Sequence, residues 1–191
     1  MFDILKNKTA FKSIVLACLP LTAVTNKVLP SIIAAVILLL SATLTSLASS
    51  CLERLLCNKA LLFARLIISA GVVGIVAPLL TIIAKAQIDY MGIYIPLITI
   101  STVLLLNQDA DSIKTIKENL IKTLITSSAA VVIIILCGFL REFLGFGSLF
   151  GFDLYTKFIS PIGFFATSAG GLLTLSFLSA VYALLIRKED K

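Results

Sequence analysis

Uncharged apolar runs fill most of this chain, and its charged residues fall between them. In order the runs are Ser13–Asn26, Val28–Leu52, Leu66–Ala84, Tyr90–Gln108, Thr123–Leu140 and Phe158–Ile186. A helix that crosses a bilayer needs about 20 apolar residues, within a range of about 17–25. The last five runs meet that requirement. The first is short, but Phe11 and the aliphatic stem of Lys12 extend it, because a lysine can bury its stem while its ammonium reaches water. The pattern predicts an all-α integral membrane protein of six transmembrane helices, forming a single domain over residues 1–191.

Composition agrees with the pattern. Of 191 residues, 59% are hydrophobic and 14% charged, and the mean hydropathy is +1.10. A soluble domain is about 45–50% apolar and about 25% charged. Too little polar surface remains here to cover a soluble globule. A soluble enzyme, a disordered tail and a secreted disulfide scaffold are excluded.

Charge then orients the helices. Lys plus Arg is 16 against 10 for Asp plus Glu, a net charge of +6. Basic residues concentrate on the cytoplasmic side of membrane proteins. With six crossings and the N-terminus inside, Lys6, Lys8, Lys12, Arg54, Lys59, Arg65, Lys114, Lys117, Lys122, Arg187, Lys188 and Lys191 all lie inside. Only Lys27, Lys85, Arg141 and Lys157 lie outside. If the first run dips in and returns, the split becomes nearly even, so six crossings with both termini cytoplasmic is the better reading. The basic residues form no long tract interleaved with aromatics, so no nucleic-acid surface is expected. Nor does a small-x-small cleavage pattern close the first run as in a signal peptide.

Two pairs of segments look alike. Pro20-Leu21-Thr22-Ala23-Val24-Thr25 matches Pro96-Leu97-Ile98-Thr99-Ile100-Ser101-Thr102, and Leu52-Glu53-Arg54-Leu55-Leu56 matches Leu140-Arg141-Glu142-Phe143-Leu144. Runs one and two therefore resemble runs four and five. Three helices separate the copies, and an odd number reverses direction through the membrane. Two inverted three-helix repeats are expected, at about 11–86 and 89–187, and such repeats place a site where broken helices meet near the midplane. Pro20 and Pro96 are expected to break helices one and four. The carbonyls so released need donors in hydrocarbon, and Thr22, Thr25, Thr99, Ser101 and Thr102 are spaced to supply them. A plain kink packed against its neighbours is the competing reading.

Three segments carry a family resemblance. Leu16–Thr25 (LACLPLTAVT), Gly92–Leu105 (GIYIPLITISTVLL) and Gly138–Gly151 (GFLREFLGFGSLFG) resemble the Rnf/Nqr membrane-subunit family. The third is the most specific and is similar to the Rnf E and Nqr D branch. The resemblance implies a six-helix membrane subunit of an ion-translocating electron-transport complex of the NADH:ferredoxin or NADH:quinone oxidoreductase type, in the inner membrane. It also implies sister membrane subunits as partners, Na⁺ or H⁺ as the moved ion, and flavins carried by other subunits. The chain itself would be a non-catalytic component.

The family places one iron–sulfur cysteine in helix one and one in helix four, two sister subunits together holding one cluster. This sequence departs from that pattern. Aligned on Pro96, the second ligand falls on Thr102, a poor iron ligand. The first falls on Leu19, with Cys18 one residue before it, a rotation of about 100° around a helix. Cys18 is left as the candidate metal and cofactor ligand. The family's Gly-Arg-Ala-Glu sequence after helix four is replaced by Asn107-Gln108-Asp109-Ala110. Cys51, Cys57 and Cys137 read as small apolar residues. Cys51 and Cys137 lie too far apart along their helices to share a cluster.

The remaining chemistry is sparse. The chain has no histidine, and no nucleophile-plus-base arrangement is present, so no catalytic residue is assigned. Glu53, Arg141 and Glu142 sit at helix ends, where they would anchor a helix, contact a partner or, for the carboxylates, bind the moved cation. Gly145, Gly147 and Gly151 predict tight turns between Phe146, Phe150 and Phe152. Gly170-Gly171 permits close helix approach. A second reading stands beside the first: an orphan paralogue that keeps the fold without a cluster and acts as a small-solute or ion transporter, or as a structural partner.

Overall fold

The computed structural model describes residues 8–23, 25–52, 56, 58–107, 116–149, 152–153 and 162–189. Among these the chain forms six α-helices: α1 (Lys8–Cys18), α2 (Val28–Leu52), α3 (Asn58–Met91), α4 (Ile95–Leu106), α5 (Ile116–Phe146) and α6 (Ser168–Glu189). Three tight 3₁₀ turns join or extend them, at Pro20–Ala23, Gly92–Tyr94 and Gly163–Ala166. The only strands among the described residues are β1 (Ser148–Leu149) and β2 (Phe152–Asp153), an antiparallel pair of two residues each. Gly147, at φ +65°, turns the chain from α5 into that pair. The fold is an all-α membrane protein.

Helices α2, α3 and α5 are long and apolar enough to cross a bilayer, whereas α1, α4 and the apolar part of α6 are shorter. The 11 residues of α1 and the 12 of α4 each rise about 16–18 Å, roughly half of a hydrocarbon core. The expectation of two broken helices takes different forms in the two. In α1, Pro20 cannot donate, and the chain tightens: the Leu19 amide bonds Leu16 and the Thr22 amide bonds Leu19, at 3.3 Å each. In α4, Pro96 lies at the first turn of the helix and interrupts nothing, because amides there have no intrahelical partner to lose. Gly92, at φ +38°, makes the turn that ends α3 and starts α4.

Hydrogen bonds between helices fix their directions. Cys18 lies against Ala130 of α5 and Thr22 against Arg141, so α1 and α5 run parallel. Val28 meets Glu142, and Ser46 meets Thr123, so α2 and α5 are antiparallel. The Ser41–Thr102 and Arg65–Leu106 contacts place α4 alongside α2 and against the direction of α3. Arg141 meets Thr167 and Cys137 meets Thr174, so α6 runs against α5, and the first three helices run opposite in sense to the last three, α1 against α4, α2 against α5, α3 against α6.

Helix α2 is central and packs on α3, α4 and α5. The core gathers Ile14 and Leu21, Ile37 and Leu38, Ile98, Ala130, Ile134 and Leu175. Helix α3 lies at the margin. Ile67, Ile75, Ile82 and Ile83 there are 66–83% exposed, which suits a lipid-facing surface. Its ladder is interrupted by Pro78 and by non-helical Ala84 (φ −135°, ψ 48°).

Candidate functional site

Each of the half-length helices α1 and α4 ends in carbonyls that lack an intrahelical donor and carry the negative end of the helix dipole. In a bilayer those groups must be satisfied from within the protein. Both ends are met by a buried arginine from another helix. At the α4 end, Arg65 of α3 donates from Nη1 to the Leu106 carbonyl at 3.0 Å. At the α1 end, Arg141 of α5 donates to the Thr22 carbonyl and to the Asn26 side-chain oxygen. The two arginines lie at opposite ends of the bundle.

Arg141 is fully buried. Its Nε also donates to the Phe165 carbonyl at 3.1 Å, and Nη2 donates to the Thr167 carbonyl at 2.8 Å. One guanidinium, with donors in a fixed planar fork, thus holds the turn after α1 and the turn before α6. Glycines make the room. A methyl on Gly171 would sit 2.9 Å from both Arg141 Nη1 and the Thr22 carbonyl, and one on Gly145 would sit 2.8 Å from the Ala166 amide.

The next residue acts on the other side of the same hinge. Glu142, also buried, accepts the Val28 amide at 2.6 Å. Val28 is the first residue of α2, where free amides and the positive dipole end favour a carboxylate. The sequence pattern sets Arg141 and Glu142 at a membrane edge, facing a partner. In the structure both serve helix ends of their own chain, and those ends attract charges of these signs. Asn26 joins the network to α3 by donating to the Tyr90 hydroxyl at 3.2 Å. Lys27 lies over the Phe146 ring at 5.4 Å.

Cys18 is buried at the last position of α1, its sulfur 3.9 Å from the Ala130 carbonyl. Thr102 is equally buried, but its hydroxyl is engaged. It donates to the Ile98 carbonyl at 2.9 Å and shares a 2.8 Å hydrogen bond with Ser41 of α2. Among the described residues no three of His, Cys, Asp and Glu gather to hold a metal. An iron–sulfur cluster drawing two thiolates from this chain, at Cys18 and position 102, therefore does not fit. One thiol is on offer, and the second place is closed by a hydroxyl pair. Cys137 is buried between α5 and α6, with its sulfur 3.1 Å from the Thr174 hydroxyl. Cys51 is exposed. Glu53, Arg54, Cys57 and Gly151 lie outside the described residues.

Sequence reasoning missed a seam of buried hydroxyls. Ser41, Thr45 and Ser49 repeat at four-residue spacing along α2, the interval of one helix face. Ser46 pairs with Thr123 at 3.0 Å. At the Arg65 end the seam borders a cavity of about 30 Å³, lined by Ser46, Ser49, Arg65, Lys122 and Thr123. It is large enough for one water. Thr45 is fully buried, and its hydroxyl oxygen has no hydrogen-bond partner among the described residues.

A family model described as "Rnf-Nqr subunit, membrane protein" matches residues 1–179. The chain belongs to the Rnf-Nqr family of membrane subunits. It is similar to the E component of the Na⁺-translocating ferredoxin:NAD⁺ oxidoreductase complex of Acetobacterium woodii, with 27% identity over 135 residues, covering 70% of this chain and 69% of the relative. Within this Rnf-Nqr protein, α1 and α4 are the half-length helices, and Cys18 and Thr102 are where they carry the positions singled out from the sequence.

Proposed function

We propose that the chain is a membrane subunit of an ion-translocating electron-transport complex of the Rnf/Nqr type, in the role held by its Acetobacterium woodii relative. The observation that carries the reading is the family match over nearly the whole chain. The two arginine-held half-helices support it, because they give the bundle a built interior rather than a plain lipid anchor. In this reading the chain lies in the inner membrane with both termini in the cytoplasm and is surrounded by lipid. It packs against sister membrane subunits while flavins sit on other chains. The repeats span about residues 11–86 and 89–187 and pack against each other along α1 and α4. Na⁺ or H⁺ is the moved ion. Glu53, Arg141 and Glu142 belong to the scaffold that shapes its path rather than to a reaction centre.

Cys18 can give a shared cluster one thiolate, and Thr102 cannot give a second. That single observation favours an alternative: a family paralogue that keeps the fold without a cluster and serves as a transporter or structural partner. Ion uptake by membrane vesicles separates the two. Deleting the chain abolishes uptake driven by electron transfer in the first reading, and the wild-type chain restores it. In the second reading, uptake driven by electron transfer is unchanged by the deletion.

A further inference from the structure

We propose that Arg141 is a positioning residue that makes the break of α1 and the turn ahead of α6 move as one unit, and so sets where Cys18 lies. The importance of Cys18 rests on the functional reading above, whereas the coupling stands on the contacts alone.

The two segments lie far apart in sequence. Both are 3₁₀ turns, Pro20–Ala23 and Gly163–Ala166, whose carbonyls are not all consumed by an α-helical ladder. Arg141 is the group that bonds both. Its Nη1 serves Thr22, its Nε serves Phe165, and its Nη2 spans Asn26 and Thr167. If either segment leaves, a buried guanidinium keeps its charge and loses part of its fork, at a cost larger than that of a neutral hydrogen bond. The segments therefore open together or not at all.

Glu142 sharpens the device. Arg141 holds the carbonyl end of α1 before the hinge at Thr25–Lys27, and Glu142 holds the amide end of α2 after it. Adjacent residues of α5 thus fix both sides of one hinge, each with the sign that its helix end attracts. Thr22 lies in the 3₁₀ turn that follows Cys18, so the direction in which α1 ends is set at Thr22. The Cys18 sulfur rests on α5 as well, at Ala130. Helix α5 therefore grips the end of α1 at two levels.

Amide hydrogen exchange of the full chain in lipid nanodiscs tests this, together with alkylation of Cys18 by N-ethylmaleimide read peptide by peptide. Local opening sets both rates. Arg141→Gln is expected to raise exchange about tenfold or more at Pro20–Asn26 and at Gly163–Thr167 together, and to raise Cys18 alkylation by a similar factor. Exchange across α4 stays unchanged. Glu142→Gln raises exchange at the first turn of α2 and leaves Gly163–Thr167 as it was. Gly171→Ala keeps the arginine but crowds Nη1 and the Thr22 carbonyl, so it loosens the same two segments and carries the test if Arg141→Gln does not fold. The proposal is overturned if one segment loosens without the other, if α4 loosens equally, or if neither changes. A chain found outside any electron-transport complex would end the functional reading while leaving this exchange pattern intact.

Discussion

Ser41 and Thr102 share a hydrogen bond of 2.8 Å, both fully buried, between α2 and α4. The family resemblance sets a sulfur ligand at position 102, and the structure shows a hydroxyl already spoken for. Thr102 also donates to Ile98, and Ser41 lies 3.0 Å from the Leu38 carbonyl. The pair works as an interhelical fastener, a use of hydroxyls common between membrane helices.

Thr102→Val keeps the shape and removes the bond. It is expected to lower stability by about 1 kcal/mol, the ordinary worth of one such contact. Ser41→Ala is expected to cost a similar amount, and the double variant less than the sum, because the two share one interaction. Unfolding midpoints in detergent measure all three. Full additivity would show that the pair does not couple α2 to α4.

Two classes of glycine are expected to respond differently to a methyl group. Gly171→Ala brings Cβ to 2.9 Å from Arg141 Nη1 and from the Thr22 carbonyl, and should destabilise by about 1–3 kcal/mol. Gly71 and Gly74 of α3 have nothing within 4 Å of such a methyl. Alanine at either should be neutral or stabilising by about 0.5–1 kcal/mol, through lower backbone freedom in the unfolded chain. Thermal unfolding of the three single variants checks the contrast.

Glu142→Gln keeps an acceptor near the Val28 amide but removes the charge that the start of α2 attracts. A loss of about 1 kcal/mol is expected, confined to the hinge end of the bundle. Exchange at Val28–Ser31 measures it. Equal loosening at the Ser46–Thr123 end would contradict a local cap.

Much of the fold was legible from the spacing of charged residues alone. The uncharged runs marked six helices because burying charge in lipid is costly enough to organise the whole chain. Pro20 correctly marked the break in α1, since its missing amide leaves the helix no continuation. Pro96 misled, because a proline that interrupts a helix and one that starts it look the same in sequence. The site was less legible. Arg141 and Glu142 stood out as an opposite-charge pair, yet the pattern reads them as a helix anchor, a partner contact or, for Glu142, a cation ligand. Only the folded chain brings the end of α1 and the start of α2 to them. Arg65 read as one more cytoplasmic cation, because its acceptor, the Leu106 carbonyl, is a backbone atom 41 residues away.

Membrane orientation gives a separate prediction. Single cysteines introduced near Lys6, Lys117 and Lys157 are labelled from outside the cell with a membrane-impermeant maleimide. Only the one near Lys157 should react, as the bias of basic residues requires. Labelling near Lys117 would reverse the assigned topology.

The claim that this chain works as one subunit among several is tested most directly by purifying it, tagged, from its native membrane in mild detergent and identifying what comes with it. The account predicts co-purification with other membrane subunits and with flavin-bearing chains in fixed stoichiometry. A chain that elutes by itself, free of flavin and with no companion protein, would contradict it.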